Sequence, residues 1–183
     1  IGMTVVVLTG GIDLSEGSLI ALSAVSATVL IRDWAGGPAA TPVALCLCSG
    51  AAVLLCALAG LFTGVMVAVF KAPSFIAPLA VMQAARGLAF MAAQGGSIYE
   101  VPESFSWLGR SAGPFGVPNA VWLMFSLFLA THILLSRTIL GRHIYAVGGN
   151  PDTARLCGIK ITLVLLLAYT FSGAMAGLGG VLQ

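Results

Sequence analysis

The residues of this sequence best suited to chemistry within an apolar chain are Asp13, Glu16 and Arg86. The two carboxylates lie in Thr9-Gly-Gly-Ile-Asp-Leu-Ser-Glu-Gly-Ser18, a polar, glycine-rich break between the apolar runs Met3–Leu8 and Leu19–Ile31. An aspartate at the centre of a membrane-embedded helix costs roughly 2.5 to 3.5 kcal/mol, so such a residue is usually buried in protein or beside water, and it often carries function. Two chemistries are open to the pair. Asp-x-x-Glu is a variant of the capping box that starts a helix, with Ser15 as a second candidate cap. Two carboxylates at a broken helix also suit a proton or Na⁺. Arg86, with Gln83, interrupts the run 75–94. It is either interior and paired, with Asp13 or Glu16 as a conceivable partner, or snorkels to an interface.

These groups must be positioned by membrane-embedded helices. The chain is 59% hydrophobic and only 8% charged, against about 25% charged in soluble domains. Its mean hydropathy is +1.06. Too few charges are present to cover a soluble surface, so the composition implies an integral membrane protein. No basic stretch followed by a short apolar core and a small-residue cleavage site marks a signal peptide. The sequence begins at Ile1 and ends at Gln183, each beside an apolar run. Both ends are therefore expected to be cut, leaving a piece of a longer protein. The net charge of +2 is not clustered with aromatics, which argues against nucleic acid. Cys46, Cys48, Cys56 and Cys157 form no Cys-x-x-Cys pair, so no metal or redox site is expected, and no cofactor. His132 lies in a span and His143 among basic residues, unpromising as metal ligands or as a base for Ser18.

Taken in order, residues 1–8 read as the tail of a helix. Gly10 and Gly11 release the backbone, and residues 17–31 are too short alone to cross about 30 Å of hydrocarbon. The expectation is a helix broken near residues 10–17, with the second half starting inside the bilayer and its positive dipole end planted there. Arg32-Asp33-Trp34 and Gly36-Gly37-Pro38 read as an interfacial exit. Residues 43–70 make a tilted span, with Gly60-x-x-x-Gly64 as a close-packing face. After the turn Lys71–Pro78 comes the run 75–94. Residues 95–119, with Glu100, Glu103, Trp107 and Arg110, read as a non-spanning loop. Residues 120–136 span again, 137–160 are a polar loop, and 161–182 are the last span, with Gly173-x-x-x-Gly177 and Ala176-x-x-x-Gly180 faces. Arg137, Arg142, Arg155 and Lys160 make the 137–160 loop cytoplasmic by the positive-inside rule. Lys71 is then inside, and 95–119 and 32–42 are outside. The fold class expected is an all-α polytopic transmembrane bundle.

The cytoplasmic loop carries a second motif. Asn150 is a preferred N-cap, and Pro151 suits the first helical position. Asp152 and Arg155 sit at the ends that the helix dipole favours. Gly158 fits the left-handed stop. The result is a short helix near 151–157, too short to stand alone in water, which must dock on its own bundle or on a partner. Gly148-Gly149 lacks the phosphate-loop pattern and any preceding strand.

Two stretches carry a resemblance. Thr-Gly-Gly-Ile-Asp-Leu-Ser-x-Gly-Ser at 9–18 resembles the signature of inner-membrane permeases of bacterial ABC importers in the ribose and simple-sugar branch, with branched-chain amino-acid permeases as more distant relatives. Gly-Arg-x-x-Tyr-Ala-x-Gly-Gly-Asn-x-x-x-Ala-Arg-Leu-x-Gly-Ile at 141–159 resembles their cytoplasmic coupling loop. Pro-Ser-Phe-Ile followed by Met82-Gln-Ala-Ala-Arg-Gly87 is similar to the same permeases. Position 16, Glu16 here, is usually apolar in the family, and position 157, Cys157 here, is usually small. The resemblance implies one transmembrane permease domain over 1–183, lacking the family's first helix and its C-terminal third, in a bacterial plasma membrane. It implies a translocation subunit without catalysis of its own. Its partners would be ABC ATPase subunits, an extracytoplasmic sugar-binding protein and a second permease copy. Gly148, Gly149, Asn150, Ala154, Arg155 and Gly158 would couple to the ATPase. Gly10, Gly11, Asp13, Ser15, Glu16 and Arg86 would belong to the broken helix and the path. The rival from another class is an ion-coupled secondary transporter that uses Asp13 and Glu16.

Overall fold

A computed structural model describes residues 1–96 and 116–183, with 98, 101, 102, 105 and 109 between them. Glu100, Glu103, Trp107 and Arg110 lie outside the described residues. Among the described residues the chain is helical: α1 (Gly2–Leu8), α2 (Glu16–Asp33), α3 (Pro42–Ala68), α4 (Ile76–Ala92), α5 (Asn119–Arg137), α6 (Ile139–Gly149), α7 (Pro151–Leu156) and α8 (Ile161–Val181). A 3-10 turn at Gly37–Ala39 follows α2. Helices α3, α5 and α8 are long and apolar enough to cross a membrane. Helix α4, with 17 residues, reaches only about 25 Å at 1.5 Å per residue.

The bundle is built on α8, which packs against α3, α2 and α1. Glycines set the α3–α8 seam. A Cβ on Gly60 would collide with the Tyr169 carbonyl oxygen, and one on Gly173 with the Cys56 carbonyl oxygen. Small residues at such a crossing let two backbones approach closely, and dispersion and polar contacts then hold the helices without a hydrophobic drive between them. Gly64 lies against Leu166, and Gly177 against Val53. Helices α3 and α8 are therefore antiparallel, and the ends bearing Lys71 and Lys160 share one side, as the charge pattern anticipates.

Helix α2 packs on α8 beside α3. Ser23 Oγ donates to the Gly177 carbonyl at 2.7 Å, and a Cβ on Gly180 would strike the Ile20 carbonyl oxygen. Leu19, Leu22, Cys56, Val81, Ala85, Ala89 and Ala176 form one buried cluster joining α2, α3, α4 and α8. A second cluster joins Val5 and Val6 of α1, Ile144 and Val147 of α6, Ala154 of α7, and Val164, Ala168 and Tyr169 of α8. Helix α5 stands largely apart, with Thr131 its one buried residue among those described.

One element was not expected. The stretch 137–160 reads in sequence as a polar loop with a single short helix, yet residues 139–149 are helical as well. Thr138 caps α6 by accepting from Gly141 N–H at 3.2 Å. Its buried positions Gly141, Ile144 and Val147 recur every three residues; Ile144 and Val147 belong to the second cluster, and Gly141 lies against the Leu134 and Leu135 carbonyls. Arg142 and His143 lie off that face and give the segment its polar look.

Candidate functional site: the broken helix and the short helix α7

Helix α1 ends at Leu8 because the next residues cannot continue it. Gly10 takes φ +81°, a left-handed conformation that costs glycine little. The freed carbonyls are reused: Val6 O accepts from Thr9 N–H and Gly11 N–H, and Val7 O from Gly10 N–H. Thr9 Oγ1 also donates to Val6 O at 2.7 Å. The chain then runs through Ile12–Ser15 and re-enters helix at Glu16. Such non-helical backbone is tolerable at membrane depth only where protein or a cavity satisfies it, and α8 provides much of that cover. Tyr169, fully buried, donates its hydroxyl to Ile12 O at 3.4 Å. A Cβ on Gly11 would come within 2.8 Å of the same hydroxyl, so Gly11 is held against Tyr169 while Gly10 stands in open space.

Asp13 is the centre of the break. It is only 2% exposed and accepts three hydrogen bonds: from Ser15 N–H at 3.0 Å and Ser15 Oγ at 2.6 Å, and from Ser172 Oγ at 2.7 Å. Ser172 Oγ also lies 3.1 Å from Glu16 Oε1. A serine hydroxyl carries one proton, so the shorter contact, to Asp13, takes it. Ser172 is eleven residues into α8, about 17 Å along a helix rising 1.5 Å per residue. The junction therefore lies near the middle of a hydrocarbon core about 30 Å thick.

Two sequence expectations need correction here. No capping box forms: Ser15 occupies the N-cap position with helical φ and ψ and makes no capping hydrogen bond. Its hydroxyl turns back to Asp13 instead, because a buried carboxylate is the stronger acceptor. Arg86 is not brought to Asp13 or Glu16. It is exposed on α4, without a hydrogen bond or ion pair to any described residue. It lines a groove of about 300 Å³ with Leu14, Gly17, Ser18, Ala21 and Met82. Ser172 and Tyr169 were missed in sequence; the only signal was the placement of hydroxyl groups within the last apolar span. Among the described residues no three His, Cys, Asp or Glu side chains gather to hold a metal ion.

The short helix α7 follows its local chemistry closely. Asn150 Oδ1 accepts from Thr153 N–H at 3.0 Å, Pro151 occupies the first turn, and Gly158 takes φ +80°. Ala154 is buried, whereas Asp152, Arg155 and Cys157 are exposed and Leu156 is 89% exposed. Gly149 has open space around it, but Gly148 does not: a Cβ there would fall on the Leu8 carbonyl oxygen.

Comparison with protein families matches residues 1–183 to the branched-chain amino acid transport system / permease component family. The chain belongs to this family. The permease chain is 38% identical over its whole length to the ribose import permease protein RbsC of Escherichia coli (strain K12), covering 56% of that relative. It is 34% identical to the galactofuranose transporter permease protein YtfT of the same strain, over 100% of this chain and 51% of the relative. It is 33% identical to the L-arabinose ABC transporter permease protein AraH of Azospirillum brasilense, over 98% of this chain and 50% of the relative. The chain thus spans about half the length of these curated relatives. No solved structure matches it at a significant level.

Proposed function

We propose that this chain is the translocation part of an ATP-driven importer for a monosaccharide of ribose-like size, working with separate ABC ATPase subunits, an extracytoplasmic sugar-binding protein and a second permease copy. The observation that carries this reading is α7. It is a doubly capped helix of six residues with one buried side chain, and its exposed Arg155, Leu156 and Cys157 await a partner. The names of the relatives supply the solute class. In this reading the chain hydrolyses nothing itself. ATP binding closes the ATPase pair, the pair moves the α7 helices, and the permeases rock between outward-facing and inward-facing states. A bound nucleotide can shift that equilibrium only by its differential affinity for the two states. Gly148, Gly149, Asn150, Ala154, Arg155 and Gly158 form the coupling loop, in which the exposed face of α7 docks on the ATPase. Gly10, Gly11, Asp13, Ser15, Glu16 and Arg86 shape the path.

The paired carboxylates Asp13 and Glu16 favour a second reading, ion-coupled transport. One experiment separates the two. The complete permease, co-expressed with the ATPase encoded beside it, is purified and assayed for sugar uptake in vesicles, with and without ATP and with ionophores present. The importer reading expects the ATPase to co-purify and uptake to require ATP and survive collapse of ion gradients. Uptake that persists without ATP and stops with an ionophore would replace it with the ion-coupled reading.

Arg86 gives a narrower test. Its guanidinium faces the groove beside Ser18, where it could donate to hydroxyls of a passing sugar. Hydrogen bonds to charged groups contribute about 1.5–3 kcal/mol. Arg86→Ala is therefore expected to lower uptake about tenfold or more at unchanged membrane abundance, with Arg86→Lys intermediate. Equal uptake at equal abundance in wild type and Arg86→Ala would remove Arg86 from the path.

A further inference from the structure

The contact between Gly148 and the end of α1 has a functional reading of its own. Gly148 lies in the last turn of α6, two residues before the Asn150 cap of α7. A Cβ at this position would overlap the Leu8 carbonyl oxygen and reach within 3.4 Å of Thr9 Cα. The obstacle is backbone, so no side-chain rotation relieves it. Its φ is not left-handed, as it is absent from the positive-φ glycines; glycine is required here by space alone. On the far side of the contact, Thr9 opens the break that leads to Asp13. Beneath it, Val5, Val6, Ile144, Val147, Ala154 and Tyr169 belong to one buried cluster. The short helix α7 and the entrance to the break are thus packed on a common core and touch through main-chain atoms.

We infer that Gly148 is the joint through which displacement of α7 reaches the break, by direct contact with Leu8 and Thr9. The inference rests on the importer reading and adds the place where force enters the transmembrane part. Packed elements of this kind shift between discrete arrangements rather than deforming continuously. A joint without a side chain allows α6 to bear on the α1 terminus without a wedge between them. Glycine at 148 is then a positioning residue. Its loss uncouples hydrolysis from transport instead of preventing ATPase docking, which falls to the exposed face of α7.

The test uses the full-length permease with its ATPase in proteoliposomes. With Gly148→Ala, the ATPase is expected to co-purify in wild-type amount and hydrolysis to continue. Sugar moved per ATP is expected to fall at least about tenfold, within the usual range of coupling between sites. Sugar moved per ATP within about twofold of wild type overturns the joint and leaves the importer reading intact. A wild-type complex that binds no ATPase overturns both. If Gly148→Ala fails to assemble, hydrogen exchange on the wild-type complex decides. A non-hydrolysable ATP analogue is expected to change amide protection at residues 9–15 together with α7. Protection that changes in α7 alone overturns the joint.

Discussion

Asp13→Ala is expected to lower uptake by at least about tenfold while leaving membrane abundance near wild type. The carboxylate accepts from Ser15 N–H and Ser15 Oγ, which hold the break's own backbone, and from Ser172 Oγ, which ties the break to α8. Alanine leaves the Ser15 N–H without its acceptor in a fully buried residue, at a cost of about 1–3 kcal/mol. The tie to Ser172 is lost as well. Even about 2 kcal/mol taken from one arrangement of the break moves its population some thirtyfold, at 1.4 kcal/mol per tenfold. Abundance is expected to hold because the glycine seam between α3 and α8 does not involve Asp13. Uptake and immunoblotted abundance that both match wild type would sink this role.

The asparagine variant separates a hydrogen-bonded tie from an ion site. In Asp13→Asn the amide oxygen can still accept from both Ser15 donors, and the amide nitrogen can donate to Ser172, whose hydroxyl both donates and accepts. Asp13→Asn is therefore expected to stay within several-fold of wild type, well above Asp13→Ala. If Asp13 held a proton or Na⁺ for transport, loss of the charge would cost as much as loss of the side chain. Glu16→Gln extends the comparison, since Glu16 lies 3.1 Å from the Ser172 hydroxyl and against the start of α1, and glutamine keeps an acceptor oxygen there. Near-normal uptake in both amide variants favours the importer. Loss in both favours the ion-coupled reading.

What could be read from the sequence, and what could not, follows the range of the interactions. The break was legible because its causes are local: two glycines and a carboxylate inside an apolar run leave helix no continuation. The short helix α7 was legible for the same reason, since Asn150, Pro151 and Gly158 each act within a turn. The glycine spacings in α3 and α8 announced close packing without naming the partner. The structure pairs them with each other, and Gly180 with α2. Ser15 shows the limit of local rules. It stands where a cap belongs, but Asp13 is close and buried, and the hydroxyl goes there. The bond from Ser172 to Asp13 joins residues 159 apart, and nothing in one sequence announces such a pairing. Helix α6 was hidden by its own exposed charges, because its buried positions acquire meaning only once α1 and α8 lie beneath them. Arg86 reads in sequence as either paired inside or snorkelling to an interface; Asp13 is already satisfied by three donors, two from Ser15 and one from Ser172 of α8. The arginine, on α4, is left facing the groove.

The docking proposed for α7 has its own decisive variant. Replacing residues 150–158 with a flexible Gly-Ser stretch is expected to abolish co-purification of the ATPase while the permease still accumulates in the membrane. Accumulation should survive because α7 contributes only Ala154 to the buried cluster, and an alanine buries little area. Docking should not survive, because Leu156 is the large apolar side chain that α7 presents outward, 89% exposed, flanked by the cation of Arg155. Fully burying a leucine side chain in a partner's pocket contributes about 1.5–3 kcal/mol, or about tenfold or more in affinity. Leu156→Ala alone should therefore weaken ATPase retention measurably, and the full replacement should eliminate it. Two turns of helix are not stable without support, so a Gly-Ser chain has no ordered conformation with which to recover the fit. Retention of the ATPase at wild-type level by the replaced loop would mean that α7 is only a cover for α1 and α8, and that the ATPase, if it binds at all, docks elsewhere.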